Sequence, residues 1–275
     1  MTTQAAELPS APAPPPRVRL RTRSALITAI LVAGLLVVHV IAWRKTEISI
    51  SAFVHGYHGM VDFLSEAWPP DLSHKTLSDA ISGALITLWM ALLGTTFALP
   101  LALVLSIPAA RTTSPNAVIY QVARSILSFL RAVPDVVFAL IFVTAVGLGP
   151  FPGVLALTLH TIGVLGKLFS EAIEEMDTGP VEALTVAGAS RVQTVQHAVL
   201  PTVLPTFVGL TLYRFDVNVR SSLVLGLVGA GGIGFLINQS IQEFRFDTML
   251  TDILVVLVLV VAADLTSAIV RRRLQ

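Results

Sequence analysis

The stretch EALTVAGASRVQTVQHAVLP, Glu182 to Pro201, is neither strongly apolar nor rich in loop formers, and it stands between two hydrophobic segments that each suit a bilayer crossing. Just upstream, Asp177, Thr178, Gly179 and Pro180 form a turn whose proline fits the first position of a helix. Glu182 then falls in the first turn, favourably placed on the helix dipole. Gly188 interrupts that helix, and Ser190 with Gln193 has the spacing of a capping box that starts a second short helix. Leu200 and Pro201 close the stretch and turn the chain back toward the bilayer. The pattern predicts helix, bend, helix between two membrane spans.

Composition sets the same context. The chain has 275 residues, 54% hydrophobic and 13% charged, with a mean hydropathy of +0.80, whereas soluble domains carry roughly 25% charged residues. It is an integral membrane protein. A net charge of +1 gives no reason to expect nucleic acid, and the absence of cysteine excludes disulfides and thiolate metal sites.

Residues 1–24, with the run Pro14 to Pro16 and Arg17, Arg19, Arg21 and Arg23, form a tail too polar and proline-rich to bury a core. Ala25 to Trp43, 19 uncharged residues, is longer than a signal-peptide core and is read as a first, uncleaved span. Residues 44–79 are expected to be a mixed outer loop. The core, 80–272, then carries a second span at Ala80 to Ile107, an amphipathic Ile119 to Leu130 leading into a third at Val136 to Leu148, and a fourth at Val154 to Ser170. A fifth at Val199 to Val219 and a sixth at Met249 to Val270 follow. Leu223 to Ile237, with five glycines, is expected to be re-entrant or to lie at the outer surface.

Six spans place both termini in the cytoplasm. Arg17, Arg19, Arg21, Arg23, Arg111, Arg124, Arg131, Arg191 and Arg271 to Arg273 then lie inside, against Arg44, Lys45, Lys75 and Arg245 outside. That bias has the expected sign.

The quoted stretch resembles the coupling loop of ABC importer permeases. That family's pattern is E-A-A, three residues, G, nine residues, I-x-L-P; here it reads Glu182, Ala183, Leu184, Gly188, Ala198, Leu200, Pro201, with Leu184 and Ala198 departing from the commonest residues. RAVPDVVFALIFVTAVGLGPFPGVLALTLHTIGVLGKLFSEAIEE, Arg131 to Glu175, and YRFDVNVRSSLVLGLVGAGGIGF, Tyr213 to Phe235, are similar to the permease subunit of phosphonate ABC transporters. The resemblance covers the chain from about Ala80 to Arg272.

It implies an all-α membrane protein, with six transmembrane helices in the type I ABC importer permease fold and cytoplasmic coupling helices at 178–199. It further implies a homodimer in the inner cell membrane. Two copies of an ABC ATPase subunit, which bind the ATP and magnesium, dock on the coupling helices, and an extracytoplasmic phosphonate- or phosphate-binding protein delivers cargo. Glu182 and Gly188 would sit in the ATPase cleft, with Ala183, Leu200 and Pro201 completing the loop. No catalytic residue and no resident cofactor or metal is implied. The cargo stays open among phosphonate, phosphate and phosphite, with a methionine-type permease as the alternative.

Two enzymatic patterns compete weakly. Gly229, Gly231 and Gly234 spell G-x-G-x-x-G with Asp252 beyond them, as in a dinucleotide-binding oxidoreductase, but no βαβ unit surrounds them. With Gly232, these glycines are expected at an outer gate or binding-protein contact, or in plain helix packing. Lys167 follows Gly166, yet a phosphate loop needs glycine at 161 and Ser or Thr at 168, where the chain has Thr161 and Leu168.

Ionisable residues within spans are functional candidates by default. His160 and Lys167 lie seven positions apart on one helix face, and an anionic cargo would favour them, with Arg214 and Arg220, along its path. The alternatives are an interhelical hydrogen bond for His160, an interfacial position for Lys167 and ion pairs with Asp216 for the arginines. Asp264 is expected to pair with the terminal arginines.

Overall fold

The computed structural model describes residues 22–47 and 49–274, and all regular structure among them is helical. Two compact units divide at residue 60. The first holds α1 (Thr22–Lys45) and the start of α2 (Ile50–Ala67). The side chains of α1 from Ala25 on are exposed all round, and a helix this apolar is stable in that state only in hydrocarbon. It begins three residues before the expected boundary, so the tail shortens to residues outside the described range.

The expected outer loop 44–79 is helical over much of its length, because α2 occupies it. Val54, Tyr57, Val61 and Leu64 recur at helical spacing. The acidic residues and Pro69 and Pro70 had outweighed that stripe.

The second unit is built on α3 (His74–Ala109), α4 (Ala117–Ala132), α5 (Asp135–Val146) and α6 (Pro150–Glu175). Ser73 caps α3: its Oγ accepts the Thr76 N–H at 3.4 Å while its own N–H donates to Asp71 Oδ1 at 2.9 Å. Hydrogen bonds from Thr76 and Ser73 hold the Asp71 carboxyl below the usual carboxylate range. At 1.5 Å per residue α3 is about 54 Å long, well beyond the ~30 Å hydrocarbon core. It therefore starts before the expected Ala80 and projects from the bilayer.

The third crossing is not the straight span expected at 136–148. Pro134 has no N–H to offer a continuing helix, so α4 and α5 meet at 81°. The 12 residues of α5 are too few to cross alone. Five helices among the described residues are long and apolar enough to span, and the number is six if the bent α4–α5 pair forms one broken span.

α6 is the centre of the bundle, with α3 as its most extensive partner. A Cβ on Gly163 would lie 2.6 Å from the Arg131 amide nitrogen and 2.8 Å from the Leu130 carbonyl carbon. α4 thus rests directly on the α6 backbone. On the opposite side Gly94 of α3 faces Leu157. Around these contacts Met90, Phe138, Leu157 and Leu225 form one buried cluster, and Leu165, Phe169, Ile173 and Phe207 another.

α7 (Gly179–Val186) and α8 (Arg191–Thr194) follow, and then α9 (Leu200–Leu225), α10 (Gly232–Gln242) and α11 (Phe246–Leu274). Leu200 and Pro201 do not turn the chain back. α8 passes through a single π-helical turn, Val195–Val199, straight into α9. The Leu200 N–H reaches the Val195 carbonyl, and this wider turn accommodates the missing N–H of Pro201. The fifth span accordingly extends beyond its expected end at Val219, and the break falls at Val228 and Gly229 rather than at Leu223. Thr87 of α3 caps the start of α10, its Oγ1 accepting the Ile233 N–H at 3.0 Å.

Replacing Gly163 by Ala forces a Cβ onto backbone that has nowhere to move, at a cost of about 1–3 kcal/mol. Thermal unfolding in detergent is expected at a lower midpoint for Gly163→Ala, and unchanged or higher for Gly209→Ala, where an added Cβ meets open space. Equal midpoints would remove the packing argument.

Candidate functional site

Two groups of residues stand apart from ordinary span packing. The first is the α7–α8 pair. The Gly179 N–H donates to Asp177 Oδ1 at 3.0 Å and the Thr178 hydroxyl to Glu182 Oε1 at 2.9 Å, so the start of α7 is held by its own side chains. At its end the Gly188 N–H bonds the Thr185 carbonyl and the Ala189 N–H the Leu184 carbonyl, with Gly188 at φ +81°. This is a Schellman stop, which glycine enters without the steric penalty of a side chain. The expected capping box is present: the Ser190 N–H donates to Gln193 Oε1 at 2.8 Å and Ser190 Oγ accepts the Gln193 N–H at 3.4 Å.

Glu182, Ala183, Gly188 and Pro201 are exposed and Leu200 is half-buried. Val186 and Val192 are 89% and 66% exposed, an unusual position for valine on a helix end facing away from the bundle. Between α7–α8 and the α3–α4 turn lies a cavity of about 540 Å³ whose lining includes Arg111, Ile173, Met176, Glu182 and Arg191.

The sequence reading missed the brace beneath this pair. Glu174 at the end of α6 accepts the Arg111 N–H at 2.9 Å and an ion pair from Arg124 at 3.1 Å. Both guanidinium groups lie over the Tyr120 ring, and Arg191 reaches the Ser114 carbonyl at 3.4 Å. Arg111 and Arg124 had counted only toward topology; their common partner, 50 or more residues away, left no local signal.

The second group lies within the spans. His160 Nδ1 donates to the Val133 carbonyl at 3.0 Å, so the imidazole fastens α6 to the α4–α5 elbow. Lys167 Nζ lies 2.6 Å from Glu171 Oε1, one turn along α6. Arg220 pairs with Asp216 at 2.6 Å and with Asp264 at 3.4 Å. Asp264 is therefore engaged by α9, not held only by the terminal arginines, whose side chains fall outside the described residues.

Arg214 differs. It is 6% exposed, its Nε donates to Thr161 Oγ1 at 3.4 Å, and Nη2 has no hydrogen-bond partner among the described residues. Asn218, one turn further on, donates to Thr95 at 2.8 Å and to Thr161 at 3.0 Å. α3, α6 and α9 meet at these side chains.

The glycine-rich stretch is closely packed and contains a turn. Gly229 at φ +97° accepts the Gly149 N–H at 3.0 Å, and a Cβ on Gly226 would lie 2.8 Å from Gly234 Cα. A Cβ on Gly231 would meet the Pro150 ring at 3.2 Å, and one on Gly232 would meet Thr87. With no strand among the described residues, the dinucleotide-fold alternative loses its framework.

Residues 99–275 match the family of binding-protein-dependent transport system inner membrane components. The phosphite transport system permease protein PtxC of Stutzerimonas stutzeri is 40% identical over 236 residues, 86% of this chain and 85% of that one. The phosphate-import permease protein PhnE of Mycolicibacterium smegmatis is 40% identical over 222 residues, 81% of this chain and 41% of that one. In fold, the chain is similar to a subunit of the methionine ABC transporter MetNI in an inward-facing conformation, with a TM-score of 0.64 at 22% identity over 74% of this chain and 100% of that one. With its exposed helix pair carried on a bundle of apolar spans, the chain thus belongs to the binding-protein-dependent transport system inner membrane component family and has the fold of a type I ABC importer permease.

Proposed function

We propose that this chain is the membrane-spanning subunit through which an ATP-driven importer moves phosphonate, or a related oxyanion such as phosphate or phosphite, into the cell. The relatives named for phosphite transport and phosphate import support that cargo class. The likeness to the methionine transporter bears on the fold alone.

The observation that carries the reading is the α7–α8 pair. Its hydrogen bonds are closed locally, it exposes apolar side chains, and α8 is continuous with α9. An ATPase docked there has a rigid handle on a span. ATP and magnesium belong to that partner, and Glu182 and Gly188 sit at the contact with it. One chain supplies one such handle, so engaging two ATPase subunits requires a second copy of the chain. Arg111, Arg124 and Arg191 cluster beside the pair, and this positive charge supports a reading in which α7–α8 and both termini face the cytoplasm of a cell-membrane protein.

The binding protein then docks at the opposite ends of the spans. The break at Gly229 to Gly234 lies there, about 35 Å or more along α9 from its start, and forms the outer gate or part of that contact. Cargo passes along α6 and α9. On that path Lys167 is paired within α6, while Arg220, through Asp264, and His160, through the Val133 carbonyl, tie one helical element to another.

Glu182→Lys places a repelling charge in the docking contact and is expected to lower uptake about thirtyfold or more while the protein stays in the membrane, since unpaired interface charges cost ~2–5 kcal/mol. Unaltered uptake removes the coupling role. Gly188→Val forces a β-branched residue into the left-handed region, and copurification of the ATPase should fall with it; full recovery of the complex would mean that the bend is dispensable. The cargo class is read from labelled phosphate uptake in cells lacking other phosphate transporters, with unlabelled 2-aminoethylphosphonate as competitor. Permease-dependent uptake that the phosphonate suppresses is the expected result; absence of permease-dependent uptake for phosphate, phosphite and phosphonate alike sinks the proposal.

A further inference from the structure

An arginine buried between membrane spans is costly and ordinarily bound to a carboxylate. Arg220 and Lys167 follow that rule, whereas the ion pairs of the described residues do not include Arg214. Asp135, at the start of α5, is near enough to act on it electrostatically, but its Oδ1 accepts the Val136 N–H at 2.9 Å instead.

The neighbours of Arg214 form a fixed polar wall. Asn218 gives its amide hydrogens to Thr95 and Thr161, and the Thr161 hydroxyl donates back to Asn218 Oδ1 at 3.2 Å. All three side chains are buried, and Thr161 also accepts from Arg214 Nε. The wall orients the guanidinium without neutralising it. Nη2 is left sealed from solvent with its donors unused.

A guanidinium presents its donors as a planar fork that matches two oxygens of a tetrahedral oxyanion. We infer that Arg214, oriented by Thr161 and Asn218, is a transient mid-membrane binding site for the transported phosphorus oxyanion, an inference that rests on the transport reading above. With one cation only, the site favours entry of an anion yet holds it weakly enough to let it leave, as conduction requires. Since Nη2 is closed off in this conformation, the anion reaches it only when α9 and α6 part. Thr161 and Asn218 are positioning residues, acting through the guanidinium.

The test is made on the complete transporter, with ATPase and binding protein, in proteoliposomes. Labelled inorganic phosphate and phosphite are the probes, and the readout is anion taken up per ATP hydrolysed. Loss of a charge-assisted hydrogen bond predicts a ten- to hundredfold fall, roughly, for Arg214→Gln. Arg214→Lys keeps the charge but not the fork and is expected between that variant and the wild type, with an altered ratio of phosphite to phosphate uptake. If Arg214→Gln matches the wild type per ATP, the site is wrong while the transport reading stands. If the wild-type complex hydrolyses ATP but takes up neither these anions nor 2-aminoethylphosphonate, the transport reading fails and takes the site with it. Failure of both variants to copurify with the ATPase gives Arg214 a purely structural role and also overturns the inference.

Discussion

Hydrocarbon supplies no hydrogen-bond partner and no hydrophobic drive between helices, so spans associate through close contact and shared polar groups. α6 meets that constraint with its smallest residue. At Gly163 the backbone of α4 sits directly on α6, and at Leu157 the helix receives Gly94 of α3. Everything that follows in the fold depends on this seating. The elbow at Pro134 is tied to α6 by His160, and the brace at Glu174 grows from the end of the same helix.

The α7–α8 pair answers the opposite demand. It has few neighbours to pack against, and it holds its shape largely with local bonds: an acidic side chain on Thr178, a glycine stop and a reciprocal cap. Its second helix then continues into α9, where Arg214 and Asn218 lie about 35 to 40 Å along the chain of helices from Arg191. α8 and the polar cluster thus lie on one continuous helical element. The π turn at Val195–Val199 lies on that element just before Pro201, and Pro205 follows inside α9.

Charge is distributed in keeping with this division. Lys167 is matched to a carboxylate within α6 and Arg220 to carboxylates of α9 and α11, while Arg124 and Arg111 share Glu174 and Tyr120 at the end of α6. Among the described residues Arg214 is the one of these cations with a buried side-chain nitrogen that has no hydrogen-bond partner, and it sits where three spans converge. The contrast is between cations matched to carboxylates and one that is not among the described ion pairs.

Sequence alone determined the features whose physics is local. Hydropathy marked the apolar helices, the Ser190 to Gln193 spacing gave the cap, and Gly188 marked the bend, because each depends on residues within one or two turns. It also located the intramembrane cations without telling their partners apart. The helix at Ile50–Ala67 was legible in its apolar stripe but was obscured by acidic residues and prolines around it. The 81° elbow, the continuity of α8 with α9, the pairing of Asp264 with Arg220 and the Thr95–Thr161–Asn218 wall were decided only by the tertiary structure. Thr95 and Asn218 are 123 positions apart. No local pattern records such a contact, because it exists only after α3, α6 and α9 have packed closely enough for their polar side chains to find one another away from water.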